Sequence, residues 1–243
     1  MEQYFEPMSN VAICTPTTGV VKATYTASLM AMVGHYLQNP VWDEDEQKFI
    51  SFQLLIGSSI AEQREAMVDE SLRDPTCTHV LFIDDDMGWQ ADALNLALYR
   101  KKPVVLANYR KKTRPWSFTA RRIEREGDKL RAVEIVTDEL SKGLEPVDFG
   151  GFGFCLVETA LLRQLKKPRF LVQWIPEQQR YSTEDYPFFR QIQELGVEVC
   201  VDHELSRKVI HIGDFQYHYG GTPEGKPVLV RAEAPVLQEY KVA

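Results

Sequence analysis

The chain has 243 residues, 44% of them hydrophobic, which suits an α/β domain with a substantial core that needs no covalent staple. Its net charge of −7 argues against nucleic-acid binding through overall charge and leaves only a local basic patch for that role. Cys14, Cys77, Cys155 and Cys200 form no Cys-x-x-Cys pair, no apolar run approaches the ~18 residues of a membrane span, and "MEQYFEPMSN" lacks the basic and apolar regions of a signal peptide, so the expectation is a soluble cytoplasmic protein with buried free thiols.

Short β-branched runs alternate with helical patterns along the first half. "VAICT" (Val11–Thr15) reads as a strand, and "KATYTASLMAMVGHY" follows with Leu29, Met30 and Val33 at helical spacing. "FISFQLLI" (Phe49–Ile56) is the next strand. "SSIAEQREAMVDESLRD" is a helix with Ser58 or Ser59 as N-cap. "HVLFI" (His79–Ile83), the short helix "QADALNLALYR" and the strand "PVVLA" complete a β-α-β-α-β-α-β series. Such a series predicts a mainly parallel, doubly wound central sheet flanked by helices.

After Asn108 the pattern weakens. Residues 109–125 carry seven basic side chains, among them Arg110, Lys111, Lys112, Arg121 and Arg122, with Trp116 and Phe118 interleaved. "LRAVEIVTD" and "VDFGGFGFCLV" read as strands and "ETALLRQLKK" as a helix. "STEDYPFFRQIQELG" is a further helix, capped by Ser182 or Thr183 and closed by Gly196. "VEVCVD" and "KVIHIG" are late strands. Without repeat or linker, the chain reads as a single domain with two halves, at about 10–108 and about 109–218, and a surface-wrapping tail at 219–243.

The chemistry centres on "HVLFIDDDMGW". Ligands of open α/β sheets sit at the carboxyl ends of the strands, and Asp84, Asp85 and Asp86 stand at such an end. Carboxylates there repel one another and resist desolvation unless a cation joins them. Alternation along an extended segment would aim Asp84 and Asp86 the same way, two hard oxygen ligands suited to Mg²⁺ or Mn²⁺ beside a phosphate. Thr15, Pro16 and Thr17, at a strand-to-loop turn, would offer backbone groups and hydroxyls to a ligand. Gly150, Gly151 and Gly153 remove side-chain bulk, which marks either close approach by a ligand or a bulge. The basic, aromatic loop suits an acceptor: Arg121 and Arg122 would supply charge and Trp116 would stack on a sugar ring or base, with an anionic acceptor such as DNA included.

Four segments in order resemble the GT-A glycosyltransferases of the family-2-like group: "VAICTPTTG", "FIDDDMGW", "VDFGGFGFCLVETALL" and "STEDYPFFRQIQELGVEVCVDHELSRKVIHIG", together spanning roughly residues 10–213. The resemblance implies an Asp-x-Asp enzyme that moves a sugar from a nucleotide-sugar, a UDP-sugar by expectation, to a saccharide, a small molecule or modified DNA, with inversion. Asp84, supported by Asp85, would serve the donor and the metal. Asp86 would bind the divalent cation, Mn²⁺ or Mg²⁺, with His211 as a further ligand. Arg64 would serve the nucleotide end, Asp185 would be the general base, and Glu184 would position the acceptor. Two bland alternatives stand beside these roles: a hydrogen-bonded core histidine at His211, and a surface ion pair of Arg64 with Glu62 or Glu65.

Rival functions fit less well. A phosphoribosyltransferase would run its paired acids into a Thr-Gly phosphate loop, and "DDDMGWQAD" has none. A haloacid-dehalogenase-like phosphatase would carry its nucleophile on the first strand, whereas two strands precede these acids. The remaining alternative is a non-catalytic nucleotide-sugar or nucleic-acid-interacting module with the same fold, marked by metal-dependent nucleotide binding without turnover.

Overall fold

The computed structural model describes residues 8–39, 41, 47–113, 115–127, 129–176, 179–213 and 216–217. The tail at 219–243 lies outside the described residues. The elements run β1 (Met8–Thr17), α1 (Ala23–Gln38), β2 (Gln47–Ile56), α2 (Ile60–Ser71), β3 (His79–Ile83), β4 (Met87–Trp89), α3 (Ala93–Tyr99) and β5 (Val104–Leu106). They continue β6 (Arg121–Glu126), β7 (Lys129–Glu134), β8 (Leu144–Val147), β9 (Phe154–Glu158), α4 (Thr159–Leu162), β10 (Trp174–Ile175), β11 (Arg180–Tyr181) and α5 (Tyr186–Glu194). β12 (Val199–Asp202), α6 (His203–Arg207), β13 (Val209–Ile212) and β14 (Gln216–Tyr217) follow.

Seven strands form the central sheet in the order β2-β1-β3-β9-β5-β12-β8. β1 pairs in parallel with β2 and β3, and β12 with β5. β9 runs antiparallel between β3 and β5, and β8 antiparallel at the edge. The expected fold class is therefore met: a mixed α/β single domain whose core strands mostly run one way. The place of β9 was not readable in advance, because a fully apolar run says that a strand is central and is silent about its direction.

Strand alternation sorts the core into two layers. Ala12, Cys14, Val80 and Phe82 pack with Met67 and Val68 of α2 and with Phe188 and Phe189 of α5. Val11, Ile13, Leu81 and Ile83 face the other way, onto Tyr25, Met32 and Tyr36 of α1 and Leu94 and Leu98 of α3. Each such apolar side chain contributes roughly 1.5–3 kcal/mol on burial. All four cysteines are buried free thiols. Among the described residues, no helix is long and apolar enough to cross a membrane.

Several local expectations change. "VDFGGFGFCLV" is broken: β8 stops at Val147 and β9 starts at Phe154. "RRIERE", unassigned from sequence, pairs with the next run as the β6–β7 hairpin. The helix at "ETALLRQLKK" is limited to α4. Ser59 caps α2 as expected, accepting from the Glu62 N–H at 3.4 Å. Neither Ser182 nor Thr183 caps α5: Asp185 holds the cap position, Ser182 bonds Gln173, and the Thr183 hydroxyl donates to the Asp185 carboxylate. Gly196 closes α5 in the left-handed region at φ 70°, as read.

Candidate active site

Thr15, Pro16 and Thr17 do not form a turn. They are the buried end of β1, because pairing with Leu54, Leu55 and Ile56 extends the strand through them. Thr15 shares a 2.5 Å hydrogen bond with the Tyr25 hydroxyl, and Gln63 Nε2 donates to the Thr17 carbonyl at 2.8 Å. Their polar groups are thus engaged inside the protein.

The strand β3 ends at Ile83, and the chain turns at once, with the Met87 N–H donating to the Asp84 carbonyl at 3.2 Å. The triplet is a turn and not an extended segment, so the alternation that aimed Asp84 and Asp86 together does not apply. Each carboxylate finds its own partner. Asp85 is bound by the Thr17 hydroxyl, and burial, with Asp86 and Asp84 adding like charge, pushes its carboxyl up.

Asp84 meets Arg64. The guanidinium, only 2% exposed, donates from Nη2 to Asp84 Oδ1 at 2.8 Å and from Nη1 to Glu184 Oε1 at 2.5 Å. The ion pair with Glu62 or Glu65 does not form; Glu65 instead accepts from Arg169 at 2.6 Å. Arg64 also lies over the Phe152 ring at 4.9 Å. Burial opposes its charge, and Asp84 and Glu184 more than restore it. One buried side chain on α2 therefore ties the end of β3 to the start of α5.

Asp185 follows Glu184 and is half-buried. Burial raises its carboxyl to about 6, Glu184 pushes the same way, and Thr183 and Arg64 hold it back. A carboxylate poised near neutrality is the form a general base requires. It opens into a cavity of about 960 Å³, lined also by Arg64, Asp84, Glu184, Gly150, Gly151 and Arg121. Trp116 and Arg122 are not among the described lining residues. Trp116 stacks under Arg110 at 5.1 Å, and exposed Arg122 pairs with Glu145 at 3.1 Å.

The glycines have an internal cause. A Cβ on Gly151 would come within 2.4 Å of the Tyr109 hydroxyl, one on Gly153 within 2.6 Å of the same ring, and one on Gly150 within 2.3 Å of Leu106 Cδ1. The Gly153 N–H donates to the Tyr109 hydroxyl at 2.9 Å. The position a Cβ would take at these glycines is filled by the protein's own Tyr109 and Leu106, while Gly150 and Gly151 also border the cavity. Tyr109 itself lines the cavity and was missed from sequence; its only signal was a position just past a core strand.

Asp86 and His211 meet on the far side of Tyr109, whose ring lies 5.2 Å from the imidazole. Pairing of β13 with β4 sets His211 opposite Met87, and Ile212 N–H donates to the Asp86 carbonyl at 2.8 Å. His211 Nδ1 lies 2.8 Å from the Arg110 carbonyl, which can only accept, so Nδ1 carries the hydrogen. Nε2 then faces Asp86 Oδ1 at 3.5 Å. That oxygen is buried, and no hydrogen bond from the described residues reaches it. Two electron-rich atoms in this relation suit a shared cation or a proton, and a carbonyl-anchored imidazole is the usual arrangement of a metal ligand. Lys112 binds the other oxygen, Oδ2. Burial opposes ionisation of Asp86, and His211 and Lys112 outweigh it and hold the carboxyl low. Among the described residues no group of three His, Cys, Asp or Glu side chains could hold a metal. The pair fits a cation bound jointly with phosphate oxygens, the common habit of Mg²⁺.

The architecture is a mixed α/β fold that matches GT-A neighbours. No protein-family profile matches the chain, and no curated protein matches it in sequence. Among solved structures it is similar to A197 from STIV, with 18% identity, a TM-score of 0.52, and coverage of 89% of this chain and 92% of that one. It is also similar to GalNAc-T7, solved with UDP, GalNAc and Mn²⁺, with 8% identity, a TM-score of 0.53 and 91% of this chain covered. The match takes in 46% of the GalNAc-T7 chain, so this chain spans about half that length. At such identities the likeness establishes the fold alone.

Proposed function

We propose that the protein is a glycosyltransferase that moves a sugar from a nucleotide-sugar, a UDP-sugar, to an acceptor hydroxyl with inversion. The observation that carries this reading is Asp185: a half-buried carboxylate held near pKa 6 at the wall of a 960 Å³ cavity, next to the Arg64 bridge to Asp84. Asp185 takes the proton of the attacking hydroxyl, and Glu184, fixed by Arg64, orients the acceptor. Asp84 faces the donor ribose. Asp86 and His211 would hold a divalent cation, which when bound neutralises the diphosphate and eases its departure. The GalNAc-T7 complex with UDP and Mn²⁺ supports donor and metal by analogy of fold.

The test is a thermal-shift screen of UDP, other nucleoside diphosphates and UDP-sugars with and without Mn²⁺, because a ligand of the native state raises its melting temperature. A Mn²⁺-dependent rise with UDP, together with sugar transfer that Asp185→Asn abolishes, is the expected result. No rise with any nucleotide would overturn the donor assignment. Binding without transfer to any acceptor would favour a non-catalytic module.

A further inference from the structure

The hairpin of β10 and β11 stands beside the first turns of α5, and between them lies a second cavity of about 440 Å³. It shares Tyr186, Arg190 and Glu194 with the larger cavity, so the two meet across the wall that begins at Asp185. Trp174 lines this groove and is 47% exposed, with Tyr181 beside it at 65%. The two rings meet edge to face at 5.1 Å, which holds Trp174 in place while much of its surface stays open. Open aromatic surface beside a reaction cavity is costly in water and suits the apolar C–H face of a sugar ring.

The polar part of the groove decides the class of sugar. Arg190 donates to the Tyr186 hydroxyl at 3.2 Å and pairs with Glu194 at 3.6 Å. Among the described residues that line the groove, the one cation is thus matched by one anion, and both can serve hydroxyls. Elsewhere, three cations of the basic loop at 109–125 are paired, Arg121 with Glu134 at 3.2 Å, Arg122 with Glu145 at 3.1 Å and Lys112 with Asp86, while Lys111 lines the larger cavity. Among the described residues that line the groove itself, no second cation stands ready for a polyanion.

We propose that this groove is an acceptor subsite for a neutral saccharide, in which Trp174 stacks on a sugar unit one or more positions beyond the unit that reacts at Asp185. The proposal rests on the glycosyltransferase reading and assigns its acceptor class: an uncharged oligosaccharide or glycoconjugate, not DNA.

The experiment reads binding, not turnover. Wild type, Trp174→Ala and Trp174→Phe are applied to an array of neutral and anionic glycans and to a labelled single-stranded DNA, and each variant is also melted with UDP. Expected is binding to neutral glycans of two or more units, weakened about 10- to 100-fold by Trp174→Ala and largely kept by Trp174→Phe. Binding confined to anionic glycans or to DNA, with steep salt dependence, would overturn it. So would neutral-glycan binding that Trp174→Ala leaves unchanged, or no neutral glycan bound at all. Loss of UDP binding with Trp174-dependent glycan binding intact would strike the donor assignment alone; intact UDP binding without neutral-glycan binding would strike the subsite alone.

Discussion

Asp84 and Asp86 stand two residues apart in one acidic triplet, yet the fold treats them in opposite ways. Asp84 is matched by a buried guanidinium that never loses its charge and is locked by a second carboxylate, Glu184. Asp86 is matched by groups that can leave: an imidazole at 3.5 Å and the partly exposed ammonium of Lys112. The first end is a permanent structural tie. The second is held by partners that can exchange. The contrast teaches that a cluster of acids is not one ligand set, because the charge opposite each carboxylate decides whether it holds the protein or a ligand.

The largest expected effect is on chemistry at the tied end. Asp185→Asn should lower transfer about 10²–10⁴-fold, the usual contribution of a general base. In the wild type the rate should rise with pH through about 6 and then level, as Asp185 ionises. Stability moves the other way. The native state favours protonated Asp185, so that contribution is present at low pH and is lost as pH rises through about 6. Asp185→Asn should therefore melt at or above the wild-type temperature at pH 7, with the difference closing toward pH 4. A variant that melts lower at pH 7 would place the carboxylate in a structural role.

Arg64→Met should follow, at about 3–5 kcal/mol of lost stability in urea unfolding, because it removes a buried charge and leaves the two partly buried carboxylates of Asp84 and Glu184 unmatched. A loss below about 1 kcal/mol would erase the distinction between the two ends. Asp86→Asn should keep the fold and weaken Mn²⁺ binding, read by titration calorimetry with UDP present, about 10- to 100-fold. Unchanged Mn²⁺ affinity would move the cation elsewhere. The smallest effect belongs to Lys112→Ala: a partly exposed ion pair contributes only about 0–1 kcal/mol, so its melting curve should nearly superimpose on that of the wild type. A change as large as that of Arg64→Met would make the Asp86 end structural too.

The core strands Val11–Thr15, Phe49–Ile56 and His79–Ile83, the capped helix at Ser59 and the acids at the end of β3 were legible because each rests on neighbours in sequence: apolar periodicity, a capping side chain, an abrupt change of polarity. Arg64, Asp84, Glu184 and Asp185 could be nominated from segments in order, and only the packing of α5 beside α2 brought them to one cavity. The glycines at 150, 151 and 153 read as either close approach by a ligand or a bulge, and the Tyr109 and Leu106 side chains that crowd their Cβ positions come from a distant part of the chain. Trp174 gave no signal of its own in the sequence, because its exposure beside α5 follows from tertiary packing, as does the contact of Trp116 with Arg110. Local pattern is written by short-range sterics and hydrophobic period, so the sequence alone determined the elements and their order. Which carboxylate meets which cation depends on contacts between elements far apart in the chain, and only the tertiary structure decided that.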